Sequence, residues 1–225
     1  MGTFLIRRHF IALGITAVLA GLSSAGAQTP ATISPSTTKA PPTLLVVGDS
    51  LSAEYGLKRG TGWVALLEQR LAKEKKAVKV INASISGDTT SGGRSRLPAL
   101  LSLHKPSVVV IELGGNDALR GLPLSMTEDN LQTMTRAAQA AGAKVLLLGM
   151  QVPPNYGQDY GKKFAETFAN TAKANKAALV PFLLAGVADG PDALRLFQAD
   201  RIHPTEQAHP AMLANVWPAL SKLIP

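Results

Sequence analysis

Ser50 closes a short apolar run, Leu44-Leu45-Val46-Val47, that breaks at Gly48-Asp49, so a hydroxyl stands at the mouth of whatever sheet the run belongs to. A serine hydroxyl attacks a carbonyl only when a base takes its proton and donors meet the oxyanion that develops. The chain has few candidates for that base: His9 lies in a leader-like segment, which leaves His104, His203 and His209. His203 is preceded at three positions by Asp200 and followed by Pro204, which places an acid and a base on one tight loop. Asp200 can then hold the imidazole by Nδ1–H and leave Nε2 facing Ser50. His104, just before Lys105-Pro106, reads instead as a cation at a helix end. His209 falls on the last helix, and a metal pair with His203 lacks any third ligand nearby.

Two further segments supply oxyanion donors, Ser86-Gly87-Asp88 and Gly114-Gly115-Asn116-Asp117. Gly87 lets a backbone N–H approach a substrate closely, Asn116 offers a side-chain NH₂, and Ser50's own N–H is the third donor. Alone, Gly87 would pass for a turn glycine and Asn116 for an Asx turn. Beside Ser50 and the Asp200/His203 loop they complete a hydrolase constellation. Asp49, Asp88 and Asp117 flank these residues and read as groups that fix loops. Glu112 stands at a strand end, where a glycosidase-like pair with Asp200 is conceivable but not required by spacing. The Gly-x-Ser-x-Gly pattern of α/β-hydrolase lipases is absent, since position 52 is Ser52, and a shallower, more open site is expected.

The elements that must position these residues alternate. Apolar, β-branched runs recur at 44–47, 78–81, 107–111, 144–148 and 178–182, and read as buried strands. Between them, Trp63, Leu66, Leu67 and Leu71 mark one helical face and Leu131, Met134, Ala138 and Ala141 another. The second of these helices should start at a capping box, Ser125-Met126-Thr127-Glu128, and stop at Gly142. The last helix should begin at Pro204 and be ended or kinked by Pro218. Strand–helix alternation of this kind predicts a three-layer α/β/α sandwich around a mainly parallel five-stranded sheet. In such sheets ligands bind beyond the carboxyl ends of the strands, which is where Ser50, Gly87 and Asn116 all fall.

At the start of the chain, Arg7-Arg8, an apolar stretch and Ala25-Gly26-Ala27 form the pattern of an export signal at 1–27, with cleavage expected near Ala27. Its apolar segment is shorter than the ~20 residues that span a bilayer comfortably, so no stable membrane anchor is expected. Residues 28–42, rich in Thr, Ser, Ala and Pro, read as a linker, and 43–225 as one folded domain. There are no cysteines, hence no disulfide and no lipobox cysteine. The product is expected to be periplasmic or secreted, and a monomer. Removing Arg7 and Arg8 leaves 21 basic residues against 15 acidic ones, a formal +6. The lysines at 73, 75, 76 and 79 and at 162, 163, 173 and 176 fall at the spacing of solvated helix faces. Without interleaved aromatics or a known module they do not suggest nucleic acid.

In this order the four segments resemble the SGNH hydrolases, also called GDSL esterases. The carrying motifs are Gly48-Asp49-Ser50-Leu51, Asn82-Ala83-Ser84-Ile85-Ser86-Gly87-Asp88-Thr89, Glu112-Leu113-Gly114-Gly115-Asn116-Asp117 and Asp200-Arg201-Ile202-His203-Pro204. They span essentially the folded domain. Ala118-Leu119-Arg120-Gly121 and Pro153-Pro154-Asn155-Tyr156-Gly157 are most similar to the branch of that family known for thioesterase, lysophospholipase and arylesterase activity. The resemblance implies a flavodoxin-like sheet, a catalytic Ser50, Asp200 and His203, and an oxyanion hole from Ser50, Gly87 and Asn116. It also implies that the loop after Asn116 shifts on acyl binding and that the loop around Pro154 walls an acyl groove. Arg201 and the Gly92-Gly93 pair depart from the family's usual residues at those positions.

The expectation is an exported hydrolase of carboxylic esters and thioesters, lysophospholipids among its candidate substrates, that needs neither cofactor nor metal. Leu51, Leu119, Leu122, Pro154 and Tyr156 are its candidate groove residues. A carbohydrate O-deacetylase would use the same site on a smaller acyl group. A non-catalytic exported binding module is the remaining alternative, disfavoured by the absence of a Gly-rich phosphate cradle.

Overall fold

The computed structural model describes residues 40–224. The expected export signal and nearly all of the expected linker lie outside the described residues. Five strands, β1 (Thr43–Gly48), β2 (Lys79–Asn82), β3 (Val108–Glu112), β4 (Lys144–Leu148) and β5 (Ala178–Val180), form one sheet. Its order is β2-β1-β3-β4-β5 and every pairing is parallel. The helices are α1 (Trp63–Lys73), α2 (Thr90–His104), α3 (Gly115–Leu119), α4 (Leu124–Ala140), α5 (Gln158–Asn175), α6 (Ala193–Leu196) and α7 (His209–Leu220). Helices α1 and α7 pack on each other, and α2, α4 and α5 pack in a row. The three-layer α/β/α architecture expected from the alternation is the one observed.

The sequence explains the order of strands. β1 and β3 are flanked on both sides and covered on both faces, and Leu44, Leu45, Val46, Val47 and Val108, Val109, Val110, Ile111 are all buried. Such strands are continuously apolar rather than alternating. β2 lies at an edge and exposes Lys79 and Asn82, which discourages pairing with another chain. β5 is shorter than the expected 178–182 because Pro181 has no N–H to continue the ladder.

The strand order reverses between β1 and β3: β1 leads outward to β2, and the chain then crosses back to β3 on the other side. A crevice opens at such a switch point, beyond the carboxyl ends of the two strands. Gly48 and Glu112 are register partners there, so the loops bearing Ser50 and Asn116 leave the sheet side by side.

Two expected helix boundaries are corrected. α4 begins at Leu124 with Pro123 as its cap and no side-chain cap bond. The Ser125 box does not form because Pro123 already sets the entry, which leaves Ser125 inside the first turn, and the Glu128 carboxylate accepts from Gln132 Nε2 at 3.2 Å instead. The left-handed stop at Gly142 is present, with φ of 85°. The last helix starts not at Pro204 but at His209, because Pro204 is held in an antiparallel bridge to Phe197 and a single 3₁₀ turn, Glu206–Ala208, follows. Pro218 lies inside α7, which continues to Leu220.

Candidate active site

Ser50 leaves β1 in a tight turn. Asp49 Oδ1 accepts the N–H of Leu51 at 3.0 Å, and Asp49 O accepts the N–H groups of Ser52 and Ala53. Gly48 is obligatory at the strand end: a Cβ there would stand 2.8 Å from both Glu112 Oε2 and Ser52 Oγ. The turn therefore sits directly on a buried polar floor, and the serine is raised above it, half-buried.

The acid and base arrive from the far end of the chain. The loop that carries them is closed by the Phe197–Pro204 bridge and by Gln198 N–H donating to His203 O at 2.8 Å. Asp200 Oδ1 accepts the N–H groups of Ile202 and His203, and its Oδ2 stands 2.6 Å from His203 Nδ1. His203 Nε2 is 3.0 Å from Ser50 Oγ. The three side chains singled out in the sequence thus form one continuous hydrogen-bonded line. The hydrogen bond with the His203 ring, followed by those from the backbone N–H groups of His203 and Ile202, holds Asp200 down to about 2. It is ionised at any ordinary pH, and Nδ1 carries the proton that faces it. Arg201 adopts a left-handed φ of 57° inside this loop, a strained position that glycine would occupy freely.

Gly87 lies in a turn with φ of 78°, and its carbonyl accepts from Arg120 Nη2 at 2.7 Å. Arg96 of α2 pins the same loop: it pairs with Asp88 at 2.8 Å and donates to Gly48 O and Ala83 O. Asn116 sits in the first turn of α3, with its Nδ2 hydrogens on Asp49 Oδ2 at 3.0 Å and Asp88 O at 2.9 Å. The amide thus ties the Ser50 turn to the Gly87 loop. Asp117 next to it is buried and holds the start of α2 through Thr90. Asp49, Asp88 and Asp117 all fix loops, as their placement suggested.

Glu112 is corrected. It does not face Asp200 but is fully buried beneath Ser50, where it accepts from Ser52 Oγ at 2.7 Å and from the N–H of Asp49 at 3.3 Å. Trp63 Nε1 donates to the same Ser52 Oγ at 3.1 Å, and the N–H of Trp63 donates to His209 Nδ1 at 3.0 Å. Burial pushes Glu112 well up and Asp49 up to about 6, and burial keeps His209 below its ordinary value. His209 is therefore a neutral acceptor in the core, and His104 is the last residue of α2. Among the described residues no cluster of side chains could hold a metal ion.

A cavity of about 650 Å³ opens beside Ser50, Asn116 and His203. Leu51, Leu119, Pro154 and Tyr156 line it as expected, with Met150, Val152, Phe182 and Phe197, which no local pattern had marked. Leu122 does not line it; the chain folds back after α3, with the N–H of Leu122 on Asp117 O. Tyr55, half exposed, lies against the His203 ring with centroids 4.3 Å apart and was also missed, since its turn carries no periodic signal.

A parallel α/β/α sheet with a serine, a histidine and a carboxylate in line at its switch point is a flavodoxin-like architecture of the hydrolase kind. Residues 46–211 match the model of the GDSL-like lipase/acylhydrolase family. The chain belongs to that family, and it is an acyl hydrolase. It is 54% identical over 182 residues to Esterase TesA of Pseudomonas aeruginosa, covering 81% of this chain and 89% of that one. It is 42% identical over 168 residues to the thioesterase 1/protease 1/lysophospholipase L1 of Escherichia coli K12, covering 75% and 78%. A crystal structure of TesA superposes with a TM-score of 0.78 at 54% identity, covering 81% of this chain and 99% of that one.

Proposed function

We propose that this chain is an exported hydrolase of carboxylic esters and thioesters that works through an acyl-enzyme on Ser50. The observation that carries the reading is the line Asp200 Oδ2–His203 Nδ1–His203 Nε2–Ser50 Oγ, at 2.6 and 3.0 Å, opening into an apolar cavity. In the first half-reaction His203 Nε2 takes the Ser50 proton as Oγ attacks the acyl carbon. The imidazolium, held by Asp200, then gives that proton to the departing alcohol or thiol. Water enters by the same route in reverse and releases the acid.

The oxyanion is met by the N–H groups of Ser50 and Gly87 and by the Asn116 amide. Because Asn116 Nδ2 already donates to Asp49 and to Asp88 O, it serves the oxyanion by sharing a hydrogen that is aimed in advance. The apolar walls at Leu51, Leu119, Val152 and Phe182 favour an acyl chain longer than acetyl. Relatives named for esterase, thioesterase and lysophospholipase action agree with one acyl-transfer centre that accepts several leaving groups. Export rests on the leader pattern at 1–27, and mass spectrometry of the exported protein should find the N-terminus near Gln28.

A fluorophosphonate should label Ser50 and nothing in Ser50→Ala, since an unactivated serine does not react. Hydrolysis of p-nitrophenyl esters should rise from acetyl toward octanoyl, and activity confined to acetyl would overturn the acyl-chain reading. Asn116→Ala should lower kcat by about 10²–10³-fold, the usual loss of one oxyanion donor. An effect as small as a few-fold there would remove Asn116 from the mechanism.

A further inference from the structure

Beneath the nucleophile lies a group the reaction does not use. Glu112 is the last residue of β3, 2% exposed, and its Oε2 accepts two hydrogen bonds, from Ser52 Oγ and from the N–H of Asp49. Its side chain also hydrogen-bonds to that of Asp49, which is 3% exposed. Two carboxyl groups in direct hydrogen-bond contact need a proton between them. Neither accepts a hydrogen bond from a lysine or arginine among the described residues. The donor is assigned by the partners: both Asp49 oxygens already accept, whereas Glu112 accepts on Oε2 alone, so the hydrogen belongs to Glu112, which gives it to Asp49. Asp49 in turn accepts from Leu51 N–H on Oδ1 and from Asn116 Nδ2 on Oδ2.

We infer that Glu112 and Asp49 form a carboxyl pair sharing one proton that aims the Asn116 amide at the oxyanion, with Glu112 acting through Asp49 as a positioning residue. Three consequences follow from the geometry. The pair carries one negative charge, on Asp49, which fixes the NH₂ end of the Asn116 amide rather than its carbonyl toward the serine turn. The Glu112 O–H holds the Asp49 carboxylate in the plane that both Leu51 N–H and Asn116 Nδ2 require. Ser52, itself fixed by Trp63 Nε1, locks the Glu112 carboxyl in turn. Misplacing a catalytic donor by about 1 Å can lower a rate by about 10²-fold, so a residue that never meets the substrate can matter to the rate.

The inference rests on the proposed role of Asn116, and a double-mutant cycle on p-nitrophenyl octanoate tests it. Glu112→Gln keeps both functions, its NH₂ donating to Asp49 and its carbonyl accepting from Ser52, and should retain kcat within about 5-fold. Glu112→Met keeps the approximate volume and loses both. It should lower kcat by about 10–10²-fold with KM little changed. In an Asn116→Ala background the same Glu112→Met change should lower kcat by no more than about 3-fold, because the group it positions is gone. Equal losses in both backgrounds, or a Glu112→Gln enzyme as slow as Glu112→Met, would overturn the inference. Should Glu112→Met not fold, Asp49→Asn carries the same cycle. Asparagine can accept from only one of Leu51 N–H and the Asn116 amide, and its loss must likewise vanish with Asn116→Ala. Failure of the underlying reading is recognised separately, by a Ser50→Ala protein that keeps its activity or an Asn116→Ala protein that loses none.

Discussion

Carboxyl groups stand on two sides of Ser50 in opposite states. Asp200 lies on a loop with its side chain 37% exposed, surrounded by three donors, the N–H groups of Ile202 and His203 and the His203 ring. Asp49 and Glu112 lie under the serine, buried, with hydroxyl, amide and backbone donors and, among the described residues, no lysine or arginine on either. Donors pull Asp200 down to about 2, whereas burial pushes the other two up. Placement, rather than residue type, decides which acid is charged. In the proposed mechanism the exposed side must keep a full charge opposite an imidazole that gains and loses a proton in every cycle. The floor has no such duty, and a retained proton lets two acids bond to each other and hold a turn rigid.

The same small change made on both sides gives the sharpest contrast. In Asp200→Asn the new oxygen can still accept from Ile202 and His203 N–H, which leaves the NH₂ facing His203 Nδ1. Nδ1 must then be the acceptor, the proton moves to Nε2, and Nε2 can no longer take the Ser50 proton. A loss of about 10³–10⁴ in kcat is expected, close to that of the serine-protease counterpart. Glu112→Gln, an equally isosteric loss of a carboxyl, should remain within about 5-fold because Glu112 is already neutral where it sits. Steady-state kinetics on one ester reads both, and an Asp200→Asn enzyme slowed less than ten-fold would erase the distinction.

The two sides also differ in how far they could be read from sequence. Asp200 and His203 are three residues apart beside a proline, and Ser50 follows an apolar run, so local pattern was enough. The five strands were legible for the same reason, since a buried parallel strand is a continuous apolar word. The floor is assembled from Gly48-Asp49, Ser52, Trp63, Glu112 and His209, separated by up to 146 residues in one hydrogen bond. No periodicity marks such a set. Trp63 reads as one more core position of a helix and Glu112 as a charge at a strand end. The failed cap at Ser125 has a different origin: Pro123, two residues earlier, already sets the helix entry, so Ser125 falls inside the first turn.

Stability should separate the sides next. A carboxyl raised by folding contributes most below its unfolded pKa, and its contribution is lost as pH rises toward the folded value. A proton kept by the fold but released by the unfolded chain lowers stability by about 1.4 kcal/mol per pH unit. Glu112→Gln has no proton to lose. Between pH 5.5 and 8 the variant should gain on the wild type, by on the order of 1 kcal/mol or more, as urea midpoints at matched m-values would show. Parallel curves for the two proteins would mean that Glu112 is not held neutral by burial. Asp200, on the exposed side, adds no such slope in this window, because its pKa is low in the fold and ordinary in the unfolded chain, so it is ionised in both.

The smallest effect, and of opposite sign, belongs to the floor's far end. His203 is half-buried and sets Nε2 3.0 Å from Ser50 Oγ, while His209, 2% exposed, presents a bare Nδ1 to the N–H of Trp63 and joins the starts of α1 and α7. Protonating it would turn that acceptor into a donor facing a donor. With its pKa lowered by burial in the fold, the unfolded chain takes up the proton first, and stability is full above the ordinary histidine value of 6.5 and declines as pH falls below it. Asn places an amide oxygen near the Nδ1 position, so His209→Asn keeps the acceptor and removes the titration. It should be less stable than wild type at pH 7.5 by about 1 kcal/mol, the loss of part of a buried ring. Toward pH 5 that gap should close as the wild type weakens alone. A gap that stays constant from pH 7.5 to 5 would show that Trp63 does not need a neutral His209.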